Sequence, residues 1–156
     1  MSFVISLERV IDAPAATVWQ VITDLPRYGE WNPFCIECRS TLVPGDPIHM
    51  QVRLLSRPQA QTEVIFEHVP MSHLCYGLDG GWSRAIVSNR CHRIEALADG
   101  RTRYRSHFEL SGWLMPLVRR LFRRQLQRGF TGMTDGVVTE SVRRAALNAR
   151  AKRASV

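Results

Sequence analysis

Arg90 and His92 stand two residues apart in a run, Ile86 to Leu97, whose residue types suit a strand. Strand residues at i and i+2 share a face, so Ser88, Arg90, His92 and Ile94 project together. Turned inward, a guanidinium and an imidazole would meet an apolar interior. They suit a bound carboxylate, phenolate or enolate, and His92 has the pKa range to move a proton. Turned outward, both are ordinary surface residues, and the mixed polarity of the run leaves both orientations open. Tyr104, Ser106 and Phe108 share the face of a second run, with Arg103, Arg105, His107 and Glu109 opposite. Tyr104 could donate a hydrogen bond to a ligand carbonyl, and so could Tyr76. Core packing explains the same residues equally well. The catalytic candidates are therefore His92, Arg90 and Tyr104.

Other chemistry-bearing residues point less far. Cys35-Ile36-Glu37-Cys38 is a C-x-x-C, but it opens a strand rather than a helix, where thiolates are stabilised. Cys75 and Cys91 do not form the second pair that a zinc site needs. His49, His68, His73 and His107 have no metal-ligand spacing, and His107 with Glu109 suits an outer-face pair. No metal or cofactor is expected. Neither a Ser-His-Asp order nor a phosphate-cradling glycine loop is present. With no signal-peptide pattern, all four cysteines read as reduced thiols of a cytoplasmic protein.

The elements that must position these residues follow from periodicity. Residues 3–11 alternate as a strand, with Phe3, Ile5, Leu7 and Ile11 on one face and Arg9 interrupting it. Asp12-Ala13-Pro14 starts a short helix carrying Val18, Trp19 and Ile22, which Leu25-Pro26 ends. A second helical turn spans Arg27 to Phe34, where Trp31 and Asn32 read as structural. Strand-like runs follow at 35–43, 47–55, 61–69, 73–79, 85–97 and 102–111, separated by Pro- and Gly-rich turns. Ile48, Met50, Val52 and Leu54 share one face. From Leu114 to Leu147 the apolar step becomes three or four (Val118, Phe122, Leu126, Phe130, Met133, Val137), which predicts one long amphipathic helix. Gly129, Gly132 and Gly136 lie inside it; each costs about 1 kcal/mol against Ala, so they need a packing reason or mark a bend.

The 156 residues suit one domain, expected over 1–148, with a basic and frayed tail at 149–156. Hydrophobic residues make up 45% of the chain, yet no apolar run is long enough to span a bilayer. The net charge of +7 is unevenly placed. Residues 113–156 carry ten Lys/Arg against two acids, while residues 1–112 are close to neutral. Arg119, Arg120, Arg123, Arg124 and Arg128 line the polar side of the long helix. Such a stripe is either a solvated face or a contact for anionic lipid or nucleic acid.

Two segments carry a family resemblance. Asp12-Ala13-Pro14-Ala15-Ala16-Thr17-Val18-Trp19 and Asp24-Leu25-Pro26-Arg27-Tyr28-Gly29-Glu30-Trp31-Asn32-Pro33-Phe34 resemble the opening of the START-related, helix-grip superfamily (SRPBCC, the polyketide cyclase/dehydratase and lipid-transport-like proteins). Leu110-Ser111-Gly112-Trp113-Leu114 and Arg128-Gly129-Phe130 resemble its closing segment. The resemblance covers nearly the whole chain. It implies an α+β helix-grip fold, with a seven-stranded curved antiparallel sheet wrapped around the C-terminal helix and two short helices after the first strand. Many bacterial members carry a Glu two residues before an aromatic-Ser-Gly; here that position is Phe108, and Glu109 follows on the opposite face. The Cys/His pattern of an iron–sulfur oxygenase is missing.

A sheet curled around one helix encloses more space than the helix fills, and the remainder suits a small-molecule cavity. The expected lining is Met50, Val52, Tyr76, Arg90, His92, Tyr104, Ser106, Phe108, Phe130, Met133 and Val137. The leading expectation is a non-enzymatic binder of a hydrophobic small molecule: a lipid, quinone, polyketide or aromatic metabolite. The alternatives are a cyclase/dehydratase using His92 or a tyrosine as acid/base, and a protein that contacts anionic lipid or nucleic acid through the Arg-rich helix.

Overall fold

The computed structural model describes residues 1–156. Strand β1 (Phe3–Ile11) leads through helix α1 (Ala15–Thr23), a 3-10 turn (Leu25–Arg27) and α2 (Tyr28–Trp31) into six further strands. These are β2 (Cys35–Ser40), β3 (Pro47–Val52), β4 (Gln59–Val69), β5 (His73–Gly77), β6 (Val87–Ala96) and β7 (Thr102–Ser111). Helix α3 (Met115–Ala154) closes the chain. The strands form one antiparallel sheet in the order β1-β7-β6-β5-β4-β3-β2. The first two strands in sequence thus lie at opposite edges, and α1 and α2 carry the chain between them. Bulges at Cys35/Glu37 and Ile65/Glu67 add local bend and twist. The expected architecture is the observed one.

Alternation decides which side chains meet the helix. In β3, Ile48, Met50 and Val52 are buried; in β7, Tyr104, Ser106, Phe108 and Leu110 are buried. In β6, Ser88, Arg90, His92 and Ile94 are all buried, so the inward orientation is the correct one. Arg9, which interrupts β1, reaches across to Asp135 on α3 (Nη2–Oδ1 3.1 Å). That contact accounts for a charged residue on the inner face.

The glycines of α3 have a packing reason. A Cβ on Gly129 would fall 2.4 Å from the Phe34 ring, and one on Gly136 would fall 2.9 Å from the Trp31 carbonyl oxygen. At Gly132 the nearest neighbour is Pro33 Cγ at 3.1 Å. The segment Trp31–Phe34 therefore lies directly on the helix, and three missing side chains make room for it. Asn32 holds this segment from within: its Oδ1 accepts hydrogen bonds from the backbone N–H groups of Phe34 (3.0 Å) and Cys35 (2.9 Å). Gly129→Ala should lose up to about 2 kcal/mol of stability, since overpacking costs about 1–3 kcal/mol and the helix-propensity gain returns about 1. Gly132→Ala should be near neutral. Urea unfolding of the two variants checks the ordering.

One expectation needs correction. Cys75 and Cys91 are not reduced thiols: β5 and β6 place them opposite one another at a Cα–Cα distance of 4.2 Å, and a disulfide joins them. Their separation of 16 residues gives no hint of this, because the register of the strand pair creates the contact. Cys35 and Cys38 are free and buried. The disulfide removes free thiols as an argument for a cytoplasmic setting. No helix is long and apolar enough to cross a membrane. Helix α3 continues through Ala154, and residues 149–156 are exposed.

Candidate functional site

The inner face of the sheet and the middle of α3 enclose a cavity of about 80 Å³. Its apolar wall comes mainly from Met50 and Val52 of β3, Phe108 of β7, and Leu126, Phe130 and Met133 of α3. Phe34, Cys35 and Leu54 close the end nearest the α2–β2 connection. A shallow outer depression lined by Phe34, Arg53, Leu54, Gln125, Arg128 and Gly129 shares Phe34 and Leu54 with the cavity. The two spaces share this part of their wall, and Arg53 and Arg128 line the outer one.

Four polar side chains reach the cavity wall: Gln61, Glu63, Tyr76 and Arg90. Arg90 is held on three sides. One terminal nitrogen donates to Ser106 Oγ (2.7 Å) and to the His107 carbonyl (3.3 Å); the other lies 3.6 Å from Met133 Sδ. Its guanidinium carbon sits 4.9 Å from the centre of the Phe130 ring, a cation–π distance. Nε is buried and has no partner. Ser106 and Thr134 lie 2.7 Å apart, and Thr134 also lies 2.7 Å from the Phe130 carbonyl. A hydroxyl has one proton to give. Arg90 therefore donates to Ser106, Ser106 to Thr134, and Thr134 to the carbonyl, so the cation is fixed by a chain anchored in α3.

Glu63 carries the second ionisable group. It is 6% exposed, on β4 directly opposite Ile48, and its one side-chain hydrogen bond comes from Gln61. Burial pushes its carboxyl up to about 7, with Gln61 and the more distant Arg90 pulling the other way. Glu63 and Arg90 line the same cavity without forming an ion pair. Arg90 offers N–H donors, and Glu63 accepts or, when protonated, donates. Sequence reasoning missed Glu63. The available signal was its period-two spacing from Ile65 and its place across from the inward residues of β3.

His92 is buried completely and does not line the cavity. Its Nδ1 is 2.8 Å from the Tyr104 hydroxyl and its Nε2 is 3.4 Å from the Tyr76 hydroxyl. Burial, with the Arg90 charge second, holds its pKa well below the usual imidazole range. The ring is therefore neutral at ordinary pH, donating through one nitrogen and accepting through the other. Tyr104, Ser106 and Val137 lie with it behind the cavity wall, whereas Met50, Val52, Tyr76, Arg90, Phe108, Phe130 and Met133 reach the wall. His92 and Tyr104 hold Tyr76 from behind, and neither lines the cavity. Burial raises the phenol pKa of Tyr76 and Tyr104, so both remain neutral. The Cys38 thiol is pushed up as well, first by its hydrogen bond with Cys35 and then by burial. That is opposite to the thiolate character that redox chemistry uses.

Comparison with known proteins agrees with this architecture. A family model described as polyketide cyclase/dehydrase and lipid transport matches residues 2–137. Among curated proteins, none matches the sequence. The aromatase/cyclase Zhui from Streptomyces sp. R1128 superposes with a TM-score of 0.77 at 15% identity, covering 92% of this chain and 96% of that one. A norcoclaurine synthase point mutant from Thalictrum flavum, in complex with a transition-state analogue, superposes at 0.68 with 13% identity, covering 92% and 96%. A START superfamily protein from Mycobacterium smegmatis superposes at 0.64 with 16% identity, covering 88% and 97%. At these identities the likeness is one of fold, and a shared fold does not transfer a function. The family match over most of the chain goes further: the protein belongs to the polyketide cyclase/dehydrase and lipid transport family.

Proposed function

We propose that the protein binds a small hydrophobic molecule between α3 and the sheet, with the ligand's polar end between Arg90 and Glu63. The observation that carries this reading is the buried guanidinium on the cavity wall whose Nε has no partner, with a carboxyl that is in no ion pair lining the same space. A buried polar group without a partner costs about 1–3 kcal/mol, and a ligand oxygen placed there would offset it. The volume of about 80 Å³ narrows the choice. Sites for drug-sized ligands run from roughly 300 to 1,000 Å³. A compact aromatic or short polyketide-like molecule with a carbonyl, carboxylate or phenol group suits the space better than a long lipid chain. Larger ligands require Phe34 and Leu54 to swing outward, and the flexible Met50 and Met133 can adjust around them.

Native mass spectrometry of freshly purified protein, followed by calorimetric titration with hydroxynaphthoic acid and naphthoquinone, tests the reading. A co-purified small molecule or a saturable probe, with affinity at least about tenfold weaker in Arg90→Gln, is the expected result. Absence of any bound species, or affinity indifferent to Arg90→Gln in a folded variant, contradicts it.

Glu63 favours a second reading, a cyclase/dehydratase. A carboxyl with a pKa of about 7 can both take and return a proton at neutral pH. It would remove a proton from a carbon flanked by carbonyls, while Arg90 stabilises the enolate oxygen. That carbon then attacks a second carbonyl of the same chain, and the alkoxide formed takes the proton back from Glu63. Glu63, rather than His92, is the acid/base candidate. Product formation from a poly-β-ketone that disappears in Glu63→Gln, with binding retained, separates the enzyme from the binder.

A further inference from the structure

The first turns of α3 and the β5–β6 loop carry apolar side chains that the fold does not bury. Trp82 in the loop is fully exposed; Trp113, Leu117 and Leu121 are each more than half exposed. They form one region because the loop packs on the start of α3. Trp113 Nε1 donates to the Ser83 carbonyl (3.2 Å), and the Leu114 N–H donates to the Ala85 carbonyl (3.0 Å). The long loop displays an indole that supports nothing in the protein.

The same stretch is strongly basic. Arg119, Arg120, Arg123, Arg124 and Arg128 are all exposed, and none is in an ion pair. No acidic residue occurs between Glu109 and Asp135. At 100° per residue, Leu117, Leu121, Arg124 and Arg128 fall along one outer stripe of the helix, with Arg120 beside it. Two leucines and two indoles next to uncompensated guanidinium groups match the surface of a bilayer with anionic headgroups: the indoles and leucines enter the headgroup–acyl boundary while arginines pair with phosphates. Nucleic acid matches the charge but leaves the leucines uncovered.

We propose that the protein docks on anionic membrane surfaces through Trp82, Trp113, Leu117 and Leu121, with the arginines of α3 supplying the charge attraction. The docked stripe ends at Arg128, which also lines the outer depression that shares Phe34 and Leu54 with the cavity. Docking therefore brings that depression, and the Phe34 and Leu54 side of the cavity, close to the lipid surface, whatever the cavity holds.

Sedimentation with vesicles of phosphatidylcholine, and of phosphatidylcholine containing phosphatidylglycerol, at low and high salt tests this. The expected result is binding to the anionic vesicles that falls with salt. Arg120→Glu with Arg124→Glu should weaken it at least about tenfold. Leu117→Ser with Leu121→Ser should weaken it as well, and a blue shift of tryptophan emission on binding should shrink in Trp82→Phe. All of these positions are exposed, and unchanged thermal unfolding of each variant would show the fold intact. Equal binding to neutral vesicles, no binding to either, full binding by the double-serine or double-glutamate variant, or tighter binding to a single-stranded RNA oligonucleotide than to anionic vesicles overturns the proposal.

Discussion

Glu63→Gln is expected to remove a loss of stability that the Glu63 carboxyl imposes between acid and mildly alkaline pH. The folded carboxyl has a pKa near 7, raised from an ordinary value of 4.5 by burial. Below 4.5 the proton is bound in both states, so the folded protein pays no penalty. As pH rises from 4.5 towards 7 the unfolded chain ionises and the folded chain does not, which favours unfolding. Above 7 the loss is complete, at about 3 kcal/mol from the size of the shift. Gln has no such titration. Compared at pH 8 and pH 4 by urea unfolding, the variant should gain about 3 kcal/mol relative to wild type. A stability difference that is the same at both pH values would show that Glu63 is not held in its neutral form. In the proposed binding role, the same carboxyl would donate to a ligand carbonyl while neutral and, once ionised, accept from a ligand hydroxyl.

The second large effect lies away from the cavity, where α1 meets α3. Arg144 is 6% exposed; its Nε donates to Glu140 (2.7 Å) and its Nη1 to Asp24 (3.0 Å). Arg143 also donates to Glu140, at 2.7 Å. Arg144→Ala would leave Asp24 without its partner and weaken the hold on a buried carboxylate, at a cost of about 3–5 kcal/mol. Arg143, and Arg144 after it, hold the Glu140 carboxyl down to about 2 from 4.5. Its contribution is therefore full above pH 4.5 and is lost as pH falls through about 2. Urea unfolding at neutral pH measures the first effect, and acid unfolding of wild type against Glu140→Gln measures the second. A loss below about 1 kcal/mol for Arg144→Ala would mean that water already solvates the pair.

How much of this was legible in the residues differs from element to element. The alternation of Ile48, Met50 and Val52, and of Tyr104, Ser106 and Phe108, gave the correct inner faces, and the steps of three and four gave α3. The run of β6 was ambiguous because polar residues occupy both faces; only the pairing of β6 between β5 and β7 turns Arg90 and His92 inward. Glu63 was hidden for a different reason. Val64 and Phe66 make the opposite parity of β4 look apolar, and the bulge at Ile65/Glu67 breaks the period midway. Depth was not readable at all. Arg90 and His92 share a face, yet one lines the cavity and the other lies behind it, between the hydroxyls of Tyr76 and Tyr104. The Cys75–Cys91 disulfide depends likewise on a register that spacing does not encode.

The central claim concerns what occupies the space between α3 and the sheet, and the methionines report on it directly. Met50 and Met133 line the cavity, Met115 is buried at the start of α3, and Met1 and Met71 are exposed. In a methyl NMR titration with hydroxynaphthoic acid, ring currents from a seated aromatic ligand should shift the Met50 and Met133 methyl signals together and saturably, leaving Met1 and Met71 in place. Signals of Met50 and Met133 that stay fixed while the surface methionines move, or that do not respond to any aromatic or carbonyl ligand, would show that the cavity is not a binding site.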